Sequence, residues 1–209
     1  MKNIILELIA SRICHDLISP TSAIQNGLEF IEEMGIEDAG DEAMGLIADS
    51  IKTSSARLQV FRVAYGLGGN DPSVKPEDVH RVFGNLLQAE GKTTQNWDPY
   101  GPIGFDERPA SYAKVLMNTL ILAHECLPKG GEITVSADEN NNCVILAKGE
   151  NANIRPFVLD ALSHDIEVEE LDPRTVHAYA ATLLANEHGF TISMAPAGDS
   201  QIKLEISTS

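Results

Sequence analysis

The chain reads as an α+β protein: a helical hairpin, residues 1–69, that pairs with a second copy into a four-helix bundle, followed by an α/β sandwich, residues 70–209. Three observations predict it. Apolar residues recur at three- and four-residue intervals through the first part, as in helices with one apolar face. The run Gly66-Leu67-Gly68-Gly69-Asn70-Asp71-Pro72 then breaks the pattern, and beyond it helical and strand-like segments alternate. Finally, two amphipathic helices cannot enclose a core by themselves, so something must cover the stripe that each leaves facing water.

The first stripe is Leu6, Ala10, Ile13, Leu17, Ile24, Leu28 and Ile31. It resumes in phase after Pro20, which removes one intrahelical hydrogen bond and crowds the preceding turn, so the pattern predicts a continuous helix with a kink. Residues 34–40 read as the break between helices. The acidic run Glu37, Asp38, Asp41 and Glu42 is a solvated turn whose charge favours the start of the second helix. Met44, Ile47, Ile51, Leu58, Phe61 and Tyr65 form the second stripe. A twofold-related copy is the simplest cover for both stripes and makes the protein a homodimer; the alternative is that the hairpin folds back onto its own chain.

In the second part Pro76 opens a helix through about Glu90, Pro109 opens another through about Cys126, and Asp172-Pro173 reads as an N-cap and first helical residue. Segments 132–137, 143–147, 190–194 and 202–206 alternate or run apolar between turn signals such as Asn140-Asn141-Asn142, and are expected as strands.

Composition narrows the function. At 43% hydrophobic the chain has ample material for a core. Its formal charge of −16, with no cluster of Lys and Arg, argues against nucleic acid and against anionic membrane surfaces as partners. The opening residues meet Arg12, His15 and Asp16 before an apolar run reaches spanning length, and they lack a basic region and a cleavage site, so no signal peptide or membrane helix is expected. Three unpaired cysteines, Cys14, Cys126 and Cys143, fit reduced thiols in a cytoplasmic protein.

His15 stands apart from the stripe. With Ile13 and Leu17 facing inward, a residue two positions from each lies about 200° around the helix, which points His15 to solvent. Arg12, Asp16 and Ser19, three or four residues away, share its face. Spacing alone leaves two readings open: an idle surface histidine, or a neutral imidazole that attacks phosphorus, a role suited to a side chain whose ordinary pKa is about 6.5. In the second reading Asp16 orients the ring and Arg12 binds phosphate oxygens or a partner's carboxylate.

The segment Arg12-Ile13-Cys14-His15-Asp16-Leu17-Ile18-Ser19-Pro20 resembles the H-box of sensor histidine kinases, in which an acidic residue follows the phosphoacceptor and a proline lies five residues beyond it. It is most similar to the form in ChpT-type histidine phosphotransferases, whose helix continues much as Ala23-Ile24-Gln25-Asn26-Gly27-Leu28-Glu29 does here. The resemblance extends along the chain. Residues 115–123 with the strand after Pro128-Lys129-Gly130-Gly131 look like a kinase N-box helix, turn and strand, and residues 181–192 resemble the late helix and strand of a histidine-kinase ATPase domain.

The departures bear on mechanism. Aligning the N-box alanine with Ala123 puts Leu122 where kinases hold magnesium, and leucine is no ligand. The Asp-x-Gly-x-Gly element would fall at residues 147–151 and lacks its aspartate, while residues 171–177 offer no glycine to approach a triphosphate. The resemblance therefore implies a phosphotransferase that does not bind ATP and holds no cofactor or metal. Phosphate would arrive from the receiver domain of a hybrid histidine kinase and leave to response-regulator receivers, which supply Mg2+. His15 and Asp16 would carry the chemistry, with Arg12, Ser19, Arg57 and Arg62 as docking residues. Two alternatives remain: an ATP-dependent kinase with a degenerate pocket, and a non-catalytic dimeric scaffold that binds receivers. Cys14 beside His15, and His124 near Cys126, lack the spacing of a metal site, and His80, His164, His177 and His188 receive no role.

Overall fold

The computed structural model describes residues 2–66, 71, 73–109 and 111–208, so most of the expected break at 66–72 lies outside the described residues. Helix α1 (Lys2–Met34) runs through Pro20 without interruption. Gly35 alone separates it from α2 (Ile36–Ala64), with φ 83° and its N–H donated to the Ile31 carbonyl at 3.0 Å. The expected break over 34–40 is thus a single residue. A glycine takes the left-handed conformation at little cost, and Glu37 and Asp38 in the first turn of α2 complement the helix dipole, so helix resumes at once.

The hairpin resolves the question of its cover into two halves. At its base Ala56, Val60, Val63 and Ala64 are buried in the main core, and Ile4, Ile5 and Leu8 pack against it. Toward its tip Leu28, Phe30, Met34, Ile36, Met44, Leu46 and Ile51 remain exposed, and nearer the base Leu6 and Leu58 of the two predicted stripes also face outward, because each stripe is wider than the part the core covers.

Beyond it follow α3 (Pro76–Glu90), β1 (Thr93–Gln95), α4 (Tyr112–Glu125), β2 (Gly131–Ala137), β3 (Cys143–Lys148), α5 (Val158–Ser163), α6 (Val176–Glu187), β4 (Phe190–Gly198) and β5 (Gln201–Thr208). The strands form one sheet in the order β1-β2-β3-β5-β4, parallel between β1 and β2 and antiparallel elsewhere. Ile133, Val135, Ile145, Ile192, Leu204 and Ile206 are buried in one core with α4 and α6, which pack on the sheet. The α+β class holds, with helices followed by a helix-covered sheet.

Helix α4 is buried from Tyr112 to Ala123 because α2 and α3 pack on it as well as the sheet and α6. Two expected helix starts shift. Pro109 precedes α4 and accepts the Tyr112 N–H at 2.9 Å, a turn before the helix. Asp172 caps a turn of its own: its carboxylate accepts the N–H groups of Arg174 and Thr175, both at 2.8 Å, and α6 begins only at Val176. Strand β1 and helix α5 are too short to leave a periodic signal.

Candidate functional site

His15 sits midway along α1 with its side chain 87% exposed, on the outer surface as its spacing predicted. Its Nδ1 lies 3.4 Å from Oδ1 of Asp16, at the long end of hydrogen bonding. If Nδ1 carries the proton toward this carboxylate, the Nε2 lone pair faces solvent, free to attack.

The turn that bears His15 is tied to the body of the protein on two sides. On one, Arg12 donates from Nη2 to Glu125 Oε1 and from Nη1 to the Pro173 carbonyl, 3.3 Å away. On the other, Arg57 of α2 donates from Nη1 to the main-chain carbonyl of Asp16, and from Nη2 and Nε to Glu90 Oε1 at 2.9 and 3.2 Å. The second oxygen of Glu90 lies 2.8 Å from Nε2 of His124. His124 and Glu125 are neighbours in the last turn of α4, so both ties end at one place in the fold.

The electrostatics follow this arrangement. The His124 hydrogen bond, opposed by burial and reinforced by Arg57, draws the Glu90 carboxyl down to about 2. Burial would lower Arg12, but the Glu125 carboxylate outweighs it and the guanidinium is held above its usual range. Arg12 keeps only 13% of its side chain exposed and Arg57 26%. Arg12, expected outward from helical spacing, and Arg57, expected as a docking residue, are therefore turned inward, because Glu125, the Pro173 carbonyl, Glu90 and the Asp16 carbonyl satisfy their donors. Ser19 and Arg62 stay exposed.

A cleft of about 520 Å³ opens beside His15, lined also by Arg12, Asp16, Arg155, Asp172, Pro173 and Arg174. Arg155 and Arg174 are both exposed, and among the described residues neither side chain has an ion-pair partner. No sequence signal pointed to them, since only the fold brings the segment after β3 and the turn before α6 to the middle of α1. Glu90 and Glu125 likewise carry no sequence signal as site residues.

The segment that resembles a kinase N-box lies within α4. Leu122 is buried in the core, and Asn118, one turn earlier, spends its amide N–H groups on the carbonyls of Ala64 and Lys114, each at 2.9 Å. Among the described residues no group of three or more His, Cys, Asp or Glu could hold a metal ion. Cys14 is exposed, whereas burial raises the Cys126 and Cys143 thiols to about 12 and about 11. No helix among the described residues is long and apolar enough to cross a membrane.

Known proteins resemble this chain along most of its length. Residues 76–200 match the family model described as the histidine phosphotransferase C-terminal domain. The chain is similar to the protein phosphotransferase ChpT of Brucella abortus, 35% identical over 191 residues that span 90% of this chain and 88% of that protein. It also superposes on a bacterial phosphotransferase solved at 1.7 Å, with a TM-score of 0.80 and 32% identity over 97% of this chain and 95% of the other. With the similarity running through both helix α1 and the α/β part, the chain belongs to the ChpT-like histidine phosphotransferase family.

Proposed function

We propose that the protein is a homodimeric, cytoplasmic phosphorelay intermediate, loaded at His15 by the aspartyl phosphate of a receiver domain and unloaded by the aspartate of another. The observation that carries this reading is the exposed His15 ring on a braced turn beside a cleft with two unpaired arginines. The loading step forms a bond between His15 Nε2 and phosphorus and breaks the acyl phosphate bond, whose electron pair returns to the receiver carboxylate. Unloading reverses it, with the second receiver's carboxylate attacking and imidazole leaving. Asp16 holds the ring and balances the charge that develops on it.

Catalysis of this kind is largely placement, since phosphoryl transfer passes through a loose transition state in most analyses. Magnesium belongs to the receiver, whose acidic pocket brings it to the phosphoryl oxygens. Arg155 and Arg174, with Ser19 and Arg62, meet the acidic rim of that pocket, and Arg12 and Arg57 serve the site from within. The chain is proposed not to use ATP, because leucine stands at the magnesium position and Asn118 is spent on holding α2. Dimerisation is supported by the apolar face left open at the hairpin tip.

The test mixes a phosphorylated receiver with wild type and with His15→Ala. Label that moves to wild type alone supports the relay. Label on the variant would reject His15 as acceptor, binding without transfer would favour a scaffold, and labelling of His15 from Mg-ATP would favour a kinase.

A further inference from the structure

Pro20 has a specific effect on its own helix. In an α-helix the carbonyl of residue i accepts the N–H of residue i+4, so the donor due to the Asp16 carbonyl is residue 20, and a proline has none. The helix nonetheless continues through this position. The carbonyl left without its donor is the one immediately after His15, and Arg57 fills the gap by donating Nη1 to it. Arg57 is itself held by two contacts to Glu90 Oε1, and Glu90 by His124.

We propose that Arg57 is a positioning residue for phosphotransfer: it takes the place of the helical donor that Pro20 withholds from Asp16, and so fixes the phosphoacceptor turn against the α/β part. The chemistry favours this partner. A carbonyl already stripped of one donor is a strong acceptor, a guanidinium offers several donors in a rigid fork, and a carboxylate at its other edge sets the angle of the plane. Lysine would supply charge without holding both Glu90 and Asp16. The consequence reaches the imidazole, because the backbone pinned by Arg57 is that of Asp16, whose carboxylate is the hydrogen-bonding neighbour of His15 Nδ1. A small rotation of this turn would move both the ring and its orienting group.

This rests on the relay reading above, and the experiment separates the two. Single-turnover transfer from a phosphorylated receiver is measured against receiver concentration for wild type, Arg57→Gln, Arg57→Lys, Pro20→Ala and Pro20→Ala combined with Arg57→Gln. In the wild-type background Arg57→Gln and Arg57→Lys should each lower the saturating rate about ten-fold while leaving the half-saturating receiver concentration unchanged. With Pro20→Ala, which returns an N–H to the Asp16 carbonyl, Arg57→Gln should change the saturating rate less than about two-fold.

A rise in half-saturating concentration at constant saturating rate would make Arg57 a docking residue and overturn the proposal. Equal losses with and without Pro20 would overturn it too. Urea unfolding of the same four variants and wild type reads the Pro20–Arg57 coupling without any partner. If wild type accepts no phosphate, the relay reading fails, while a non-zero coupling upholds the Arg57 contact and a zero coupling rejects it.

Discussion

The Tyr65 hydroxyl lies 2.5 Å from Nδ1 of His177, closing the end of the hairpin onto α6. Nε2 of the same ring is 3.2 Å from the main-chain carbonyl of Asn118, an acceptor only. Nε2 therefore carries the proton, and Nδ1 accepts from Tyr65. His177 is fully buried, and Asn118 turns its side chain to Ala64, so α2, α4 and α6 meet at one polar knot. Burial, reinforced by the nearby Arg12 charge, lowers His177 to about 4, while it raises the Tyr65 hydroxyl above its ordinary value.

This knot makes the fold sensitive to mild acid. The folded ring resists a proton that the unfolded chain accepts near pH 6.5, so stability is whole above that value and falls as pH drops toward 4. The loss is on the order of 3 kcal/mol across that window. Urea unfolding between pH 7.5 and 4.5 should show the decline, and His177→Gln should flatten it, although at lower stability throughout. An equally steep decline in the variant would place the acid sensitivity elsewhere.

Arg155 and Arg174 differ from Arg57 in the kind of effect expected. Both are exposed at the cleft mouth, so in a chain of net charge −16 they are local attractors for an acidic partner surface. Reversing both to Glu should raise the half-saturating receiver concentration about ten-fold and weaken its dependence on salt, because rim charges act chiefly on encounter. The saturating transfer rate should stay near wild type. Unchanged half-saturation would remove these arginines from the docking face.

The sequence made the hairpin and the four main strands legible because period is a direct imprint of burial: Ile133 and Val135, or Ile202, Leu204 and Ile206, alternate because one face of the sheet meets α4 and α6. It made His15 legible because exposure on a helix follows from its angle to Ile13 and Leu17. The same rule points Arg12 outward, whereas the structure turns it inward, since spacing gives the direction of a side chain's root and says nothing of Glu125 on another element. Arg155 and Arg174 were silent for a related reason, as their place depends on how two loops pack beside α1. From sequence Pro20 predicts only a kink, because the Asp16 carbonyl it frees finds its partner on α2, at Arg57.

The exposed apolar face of the hairpin predicts its own partner. Leu28 and Ile51 are 51% and 49% exposed in the single chain, on facing helices of the hairpin and on the stripes that the periodicity defined. Covering such a face with a twofold copy gives a bundle whose seam excludes charge. Leu28→Glu combined with Ile51→Glu should therefore halve the mass measured by light scattering while far-UV circular dichroism keeps its helical signal. A variant of unchanged mass would take this face out of the proposed dimer seam.

Two glycines with similar backbone angles should respond very differently to the same substitution. Gly35 and Gly130 have φ of 83° and 85°, so alanine at either incurs the left-handed penalty. Around Gly35 nothing lies within 4 Å of an added Cβ, and Gly35→Ala should cost only about 1 kcal/mol. At Gly130 that Cβ would fall 1.9 Å from the Lys92 carbonyl oxygen, which also accepts the Gly131 N–H at 3.1 Å where β1 meets β2. Backbone cannot rotate aside as a long side chain would, so relief requires the β1–β2 junction to open. Gly130→Ala should cost about 3 kcal/mol or more, read as a lower urea midpoint, and similar losses for the two variants would mean that the junction yields more readily than its hydrogen bond implies.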